Sequence, residues 1–102
     1  MLRITIEGVK AGVSALQLKL EGHLAGVWVR HLEVCWRAAR TSFGPRLTGI
    51  DLTGCRSVDR AGRYLLALLH EEGSRLIPGD VETTNLVESI ARDWPAEAAH
   101  QK

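Results

Sequence analysis

Hydrophobic periodicity in this chain switches back and forth between two residues and about 3.6, and that switching most restricts what it can fold into. Leu2, Ile4 and Ile6 alternate with Arg3, Thr5 and Glu7, the pattern of a half-buried strand. Gly8-Val9-Lys10-Ala11-Gly12 reads as a turn, after which Leu16, Leu18 and Leu20 alternate with Gln17, Lys19 and Glu21. So short a connection predicts an antiparallel hairpin. The spacing then becomes helical: Leu24, Trp28, Leu32, Cys35, Trp36 and Ala39 recur every three or four positions, with Arg30, Glu33, Arg37 and Arg40 mostly between them. Gly44-Pro45 stops that helix, because Pro lacks an amide donor and restricts the residue before it.

The second half repeats the alternation. Leu47 to Thr53 is a third strand, closed by Gly54. Asp59 is suited to cap a second helix, since its carboxylate can accept from the free amides of the turn that follows. Ala61, Tyr64, Leu65, Leu68 and Leu69 form that helix's apolar stripe, and Gly73 ends it. Ser74 to Ile77 is a short fourth strand stopped by Pro78-Gly79, and Leu86, Val87, Ile90, Ala91 and Trp94 mark a last helix ended by Pro95. The order β-β-α-β-α-β-α, with right-handed crossovers, predicts one small α/β domain. Its mixed four-stranded sheet packs against about three helices, and its first strand runs antiparallel to the others. The domain spans residues 1–94; residues 95–102 have little to bury and are expected to fray.

Composition narrows the function classes. At 102 residues the chain suits one domain, and 45% hydrophobic with 25% charged residues is a globular balance. Lys and Arg total 13 against 12 Asp and Glu, a formal net charge of +1, so no broad field steers it to nucleic acid or an anionic membrane. No apolar run approaches the roughly 18 residues of a membrane span, and the start lacks a signal peptide's apolar core. A cytoplasmic location without membrane insertion is the expectation. Cys35 and Cys55 have neither CxxC spacing nor a His pair at ligand spacing, which predicts two free thiols, no metal site and no cofactor.

Two stretches carry a resemblance. Leu47-Thr48-Gly49-Ile50-Asp51-Leu52-Thr53-Gly54-Cys55-Arg56-Ser57-Val58-Asp59-Arg60-Ala61-Gly62 resembles the core signature of STAS domains. There a strand leads through a short loop to Asp-Ser-Ser-Gly, or a variant, opening a helix. Upstream, Leu18-Lys19-Leu20-Glu21-Gly22-His23-Leu24-Ala25-Gly26-Val27-Trp28-Val29 is similar to one branch of that family. The resemblance covers roughly Met1 to Trp94 and agrees with the element order read from periodicity. It implies a protein-binding module, like the anti-sigma factor antagonists that dock on an anti-sigma kinase and are phosphorylated on a Ser at the helix start. Phosphate there adds a charge of about −2 and changes how the surface meets a partner. Here the matching position is Ala61, preceded by Arg60, so the resemblance implies no phosphorylation at that site. Other STAS domains are small subunits of transport complexes, including bacterial phospholipid transporters, where they bind an ATPase.

The expected partner surface is the loop from Gly54 to Val58 with the second helix's first turns, where Arg56, Ser57, Asp59, Arg60, Ala61 and Arg63 gather. Cations at a helix N-terminus are unfavourable by roughly 0.3–1 kcal/mol each when exposed, which Asp59 partly offsets. Their positive field suits an acidic surface on a partner; the plainer alternative is solvated arginines pairing locally with Asp59. Ser57 reads as a turn former rather than a phosphosite. Trp28, flanked by Val27 and Val29, is a half-exposed contact candidate, whereas Trp36 belongs to the core and Trp94 seals its end. Cys35 reads as a small buried hydrophobe, Cys55 as an exposed loop thiol, and Gly62 as a point of close backbone approach. His23, His31, His70 and His100 are scattered, and no Ser/His/Asp, paired-carboxylate or Cys/His arrangement predicts an enzyme. The function expected is therefore a non-catalytic interaction module. Its partner would be an anti-sigma factor or kinase-like protein, or a transporter ATPase. A nucleotide- or lipid-sensing domain is the alternative, and strand or helix edges leave a homodimer open.

Overall fold

Alternating and helically spaced segments segregate into a sheet and a helical layer. The computed structural model describes residues 1–8 and 15–93. Its elements are β1 (Leu2–Gly8), β2 (Leu16–Leu24), α1 (Val27–Phe43), a 3-10 turn (Gly44–Arg46), β3 (Leu47–Val58), α2 (Arg60–Glu71), β4 (Arg75–Ile77) and α3 (Val81–Asp93). The sheet order is β1-β2-β3-β4, with β1 antiparallel to β2 and the remaining pairs parallel. The α/β class, the element order and the mixed sheet are those expected from periodicity. Residues 9–14 of the first turn, Trp94 and the tail 95–102 lie outside the described residues.

Both strand–helix–strand units step the same way across the sheet, so right-handed crossovers put α1 and α2 on one face. Burial agrees. Leu2, Leu18, Leu20, Leu24, Ile50, Leu52, Cys55 and Leu76 of the strands form one cluster with Leu32, Trp36 and Ala39 of α1, Leu65, Leu66 and Leu69 of α2, and Ile90 of α3. The other face carries Arg3, Thr5, Glu7, Gln17, Lys19, Glu21, Asp51 and Arg75, in mutual register across the strands. A sheet covered on one side alternates apolar-in and polar-out, the pattern seen in the sequence.

Several expectations are corrected. Gly54 does not close β3: the strand continues to Val58, because β2 also continues past Glu21 and pairs Gly22 with Cys55, His23 with Ser57 and Leu24 with Val58. Irregular register between these pairs breaks the alternation and hid the extension. Leu24 thus belongs to β2, not to the first helix. Cys55 is buried and faces the helical layer rather than lying in an exposed loop. On α2, Tyr64 and Leu68 are exposed, while Leu66 and Ala67 are buried with Leu65 and Leu69. The helix is wedged against the sheet and its flanking helices, so its buried arc is rotated from the expected one. Cys35 is half-buried. α3 begins at Val81, earlier than its apolar stripe implied. Asp80 accepts from the Thr83 amide at 2.8 Å, and the Thr83 hydroxyl accepts from the Gly79 amide at 2.8 Å.

Candidate functional site

The site is built from two chain reversals, β2 into α1 and β3 into α2. Asp59 has extended backbone angles, and its Oδ1 accepts from the Gly62 amide at 2.8 Å, the N-cap geometry its sequence position predicts. Its Oδ2 accepts from the Gly26 amide at 3.0 Å. The Asp59 amide in turn donates to the Leu24 carbonyl at 3.1 Å. One carboxylate thus joins both helix starts, and the Gly26 amide, with the Gly62 amide, holds its carboxyl below the usual carboxylate range. Spacing alone exposed the cap but not the link to Gly26.

Two glycines make this close arrangement possible. Gly26 has φ 60, in the left-handed region that a side chain strains. A Cβ on Gly62 would lie 2.7 Å from the Leu24 carbonyl oxygen, so α2 touches the end of β2 only because that position is bare. The close approach expected of Gly62 is therefore present.

The expected partner residues divide. Arg56 and Ser57 are exposed, on the end of β3 rather than in a loop, and Arg60 and Ala61 are exposed on the first turn of α2. Ser57 Oγ lies 2.7 Å from His23 Nδ1 across the β2–β3 ladder, which occupies the hydroxyl locally. Arg63 is half-buried and reaches α3, meeting Asp93 at 3.1 Å and the Ser89 hydroxyl. Its guanidinium fastens α2 to α3. Trp28 is half-buried against the core and meets His31 edge-on, with ring centroids 5.6 Å apart. Trp36 is fully buried, as expected of a core residue.

Sequence reasoning missed the contribution of α3. A cavity of about 260 Å³ lies between Arg56, Ser57 and Val58 at the end of β3 and Glu82, Thr83 and Leu86 at the start of α3. The Asp80-x-x-Thr83 cap was the available signal for where that helix begins. Among the described residues no three His, Cys, Asp or Glu side chains converge to hold a metal ion, and no helix is long and apolar enough to cross a membrane.

No protein-family model matches the sequence. None of the curated proteins matches it either. Among solved structures, the chain is similar to an uncharacterized protein of the DUF3478 family, with a SpoIIAA-like fold, from Shewanella loihica PV-4. The match covers 93% of this chain and 81% of the other, at a TM-score of 0.57 and 16% identity. By its element order, its sheet and this likeness, the chain has the SpoIIAA-like fold, that of STAS domains.

Proposed function

We propose that this protein is a non-catalytic interaction module that docks a partner protein on the surface formed by the end of β3 and the first turn of α2. The observation that carries the reading is Asp59 bridging Gly26 and Gly62, which fixes the exposed Arg60-Ala61 turn against the start of α1. A surface held by backbone hydrogen bonds loses little entropy on docking, which favours affinity. Arg56 and Arg60 give it positive charge near a helix N-terminus, suited to an acidic patch on an anti-sigma factor, a kinase-like protein or a transporter ATPase. With Ala61 at the usual acceptor position, the interaction is constitutive or controlled elsewhere. Affinity purification from the native host, followed by pull-down of the recovered partner, tests this. Arg60→Glu with Arg56→Glu should abolish capture, and full capture by that folded double variant would refute the assignment.

The cavity between Arg56 and Glu82 favours a second reading, sensing of a small ligand. It opens at the C-terminal end of the parallel strands, where open α/β sheets bind ligands. At about 260 Å³ it falls a little below the usual range for drug-sized ligands, roughly 300–1,000 Å³. Reproducible thermal stabilisation by one class of nucleotide or lipid would move the assignment to this reading.

A further inference from the structure

We infer that β1 pairs with β1 of a second copy across a two-fold axis at Thr5, joining two four-stranded sheets into one.

The backbone direction is set by one bond. The Met1 carbonyl accepts from the His23 amide at 3.0 Å. In an antiparallel ladder a residue's N–H and C=O point the same way, and the direction alternates along the strand. Met1, Arg3, Thr5 and Glu7 therefore address β2, while Leu2, Ile4, Ile6 and Gly8 direct their backbone groups to the sheet's outer edge. β1 is terminal in the sheet, and no described residue pairs with that edge. Among the described residues the strand has few of the usual protections, since its two charged side chains, Arg3 and Glu7, are of opposite sign and lie on the outer face. It contains no proline, its ladder with β2 has no bulge, and its inward positions Leu2, Ile4 and Ile6 are all apolar. Ile6 is 45% exposed, and beside it runs a recess of about 400 Å³ lined by Ile4, Cys35, Ala38, Ser42 and Phe43. Such an edge calls for an occupant.

The strand's own sequence complements itself. Antiparallel pairing about Thr5 sets Ile4 opposite Ile6 of the second copy and Arg3 opposite its Glu7. Both pairings recur by symmetry, as an isologous contact requires. Ile4 and Ile6 are the residues whose backbone faces outward, so this register satisfies the hydrogen-bond directions, adding about eight ladder bonds with Leu2 and Gly8 included. Arg3 and Glu7 then occupy the non-hydrogen-bonded positions, where side chains approach most closely, about 4.5 Å between Cα atoms. A shift of two residues either way puts Thr5 opposite Arg3 or opposite Glu7 and loses both charge pairs. Arg3 is 76% exposed and meets Glu21 at only 3.8 Å, so it can reach across the new ladder. The recesses of the two copies close together beneath the joined strands, covering Ile6 on both sides. This edge is distinct from the surface around Arg60, so dimer and partner docking are separable.

Sedimentation velocity of the full chain across micromolar to submillimolar concentrations is the test. The wild type should dimerise; Arg3→Glu and Glu7→Arg should each weaken association about tenfold, and the two together should restore it. Circular dichroism would establish that each variant is folded. A monomer at all concentrations, a dimer indifferent to the single swaps, or one not rescued by the double swap would each overturn the inference. So would hydrogen exchange that finds the Ile4 and Ile6 amides protected in a monomer, since the chain's own residues would then cover the edge.

Discussion

Gly26 and Asp59 are 33 residues apart in sequence and joined by one 3.0 Å hydrogen bond, through which a single carboxylate organises the start of two helices. Losing that group should therefore affect more than a helix cap. Asp59→Ala is expected to lower the melting temperature by several degrees and to raise hydrogen exchange in both Gly26 and Gly62 amides. A cap-only role would raise exchange at Gly62 alone.

The same carboxylate, with Asp80, makes stability depend on acid. Amides of Gly26 and Gly62 lower the Asp59 value, and the Thr83 amide and hydroxyl lower that of Asp80. Depressed folded-state values mean stability that is fully present above the unfolded carboxylate value, about 3.9. It is lost as pH falls through the lower folded values. Urea midpoints should be flat from pH 7 to 5 and decline below about 4, with a smaller decline in Asp59→Asn.

Gly62→Ala should destabilise the fold by about 1–3 kcal/mol, because the added methyl meets the Leu24 carbonyl and the backbones must separate. At the neighbouring exposed position, Ala61→Ser should leave the denaturation midpoint unchanged. Equal effects at the two sites would mean that α2 does not press on β2.

Trp36 is fully buried, yet its indole N–H has no acceptor among the described residues. Trp36→Ala should cost about 3–5 kcal/mol through lost contacts and the cavity left behind. Trp36→Phe removes the orphaned donor while keeping an aromatic ring, so it should cost under about 2 kcal/mol in chemical denaturation.

The two thiols should differ in reactivity. Burial pushes the Cys55 thiol up, whereas Cys35 is half-buried on α1. Ellman's reagent at pH 8 should modify Cys35 first, and Cys55 only with a rate that rises on adding denaturant. Fast modification of Cys55 in Cys35→Ser would contradict its inward placement.

Local pattern determined much of this protein. Alternation at Leu2–Glu7 and Leu16–Glu21, helical spacing from Trp28 to Ala39, the Asp59 cap and the Gly44-Pro45 stop are all short-range signals. They placed the elements, the mixed sheet and the exposed Arg60-Ala61 turn. Tertiary structure decided what depends on distant partners. β3 runs on to Val58 and buries Cys55 because β2 continues beside it, and no local pattern survives the irregular register between them. Arg63 is drawn to Asp93, and Asp59 acquires Gly26, because separate segments meet only after the crossovers are made. The physical reason is common to all three: periodicity encodes which side of an element is apolar, but not which polar atom of another element will arrive opposite it.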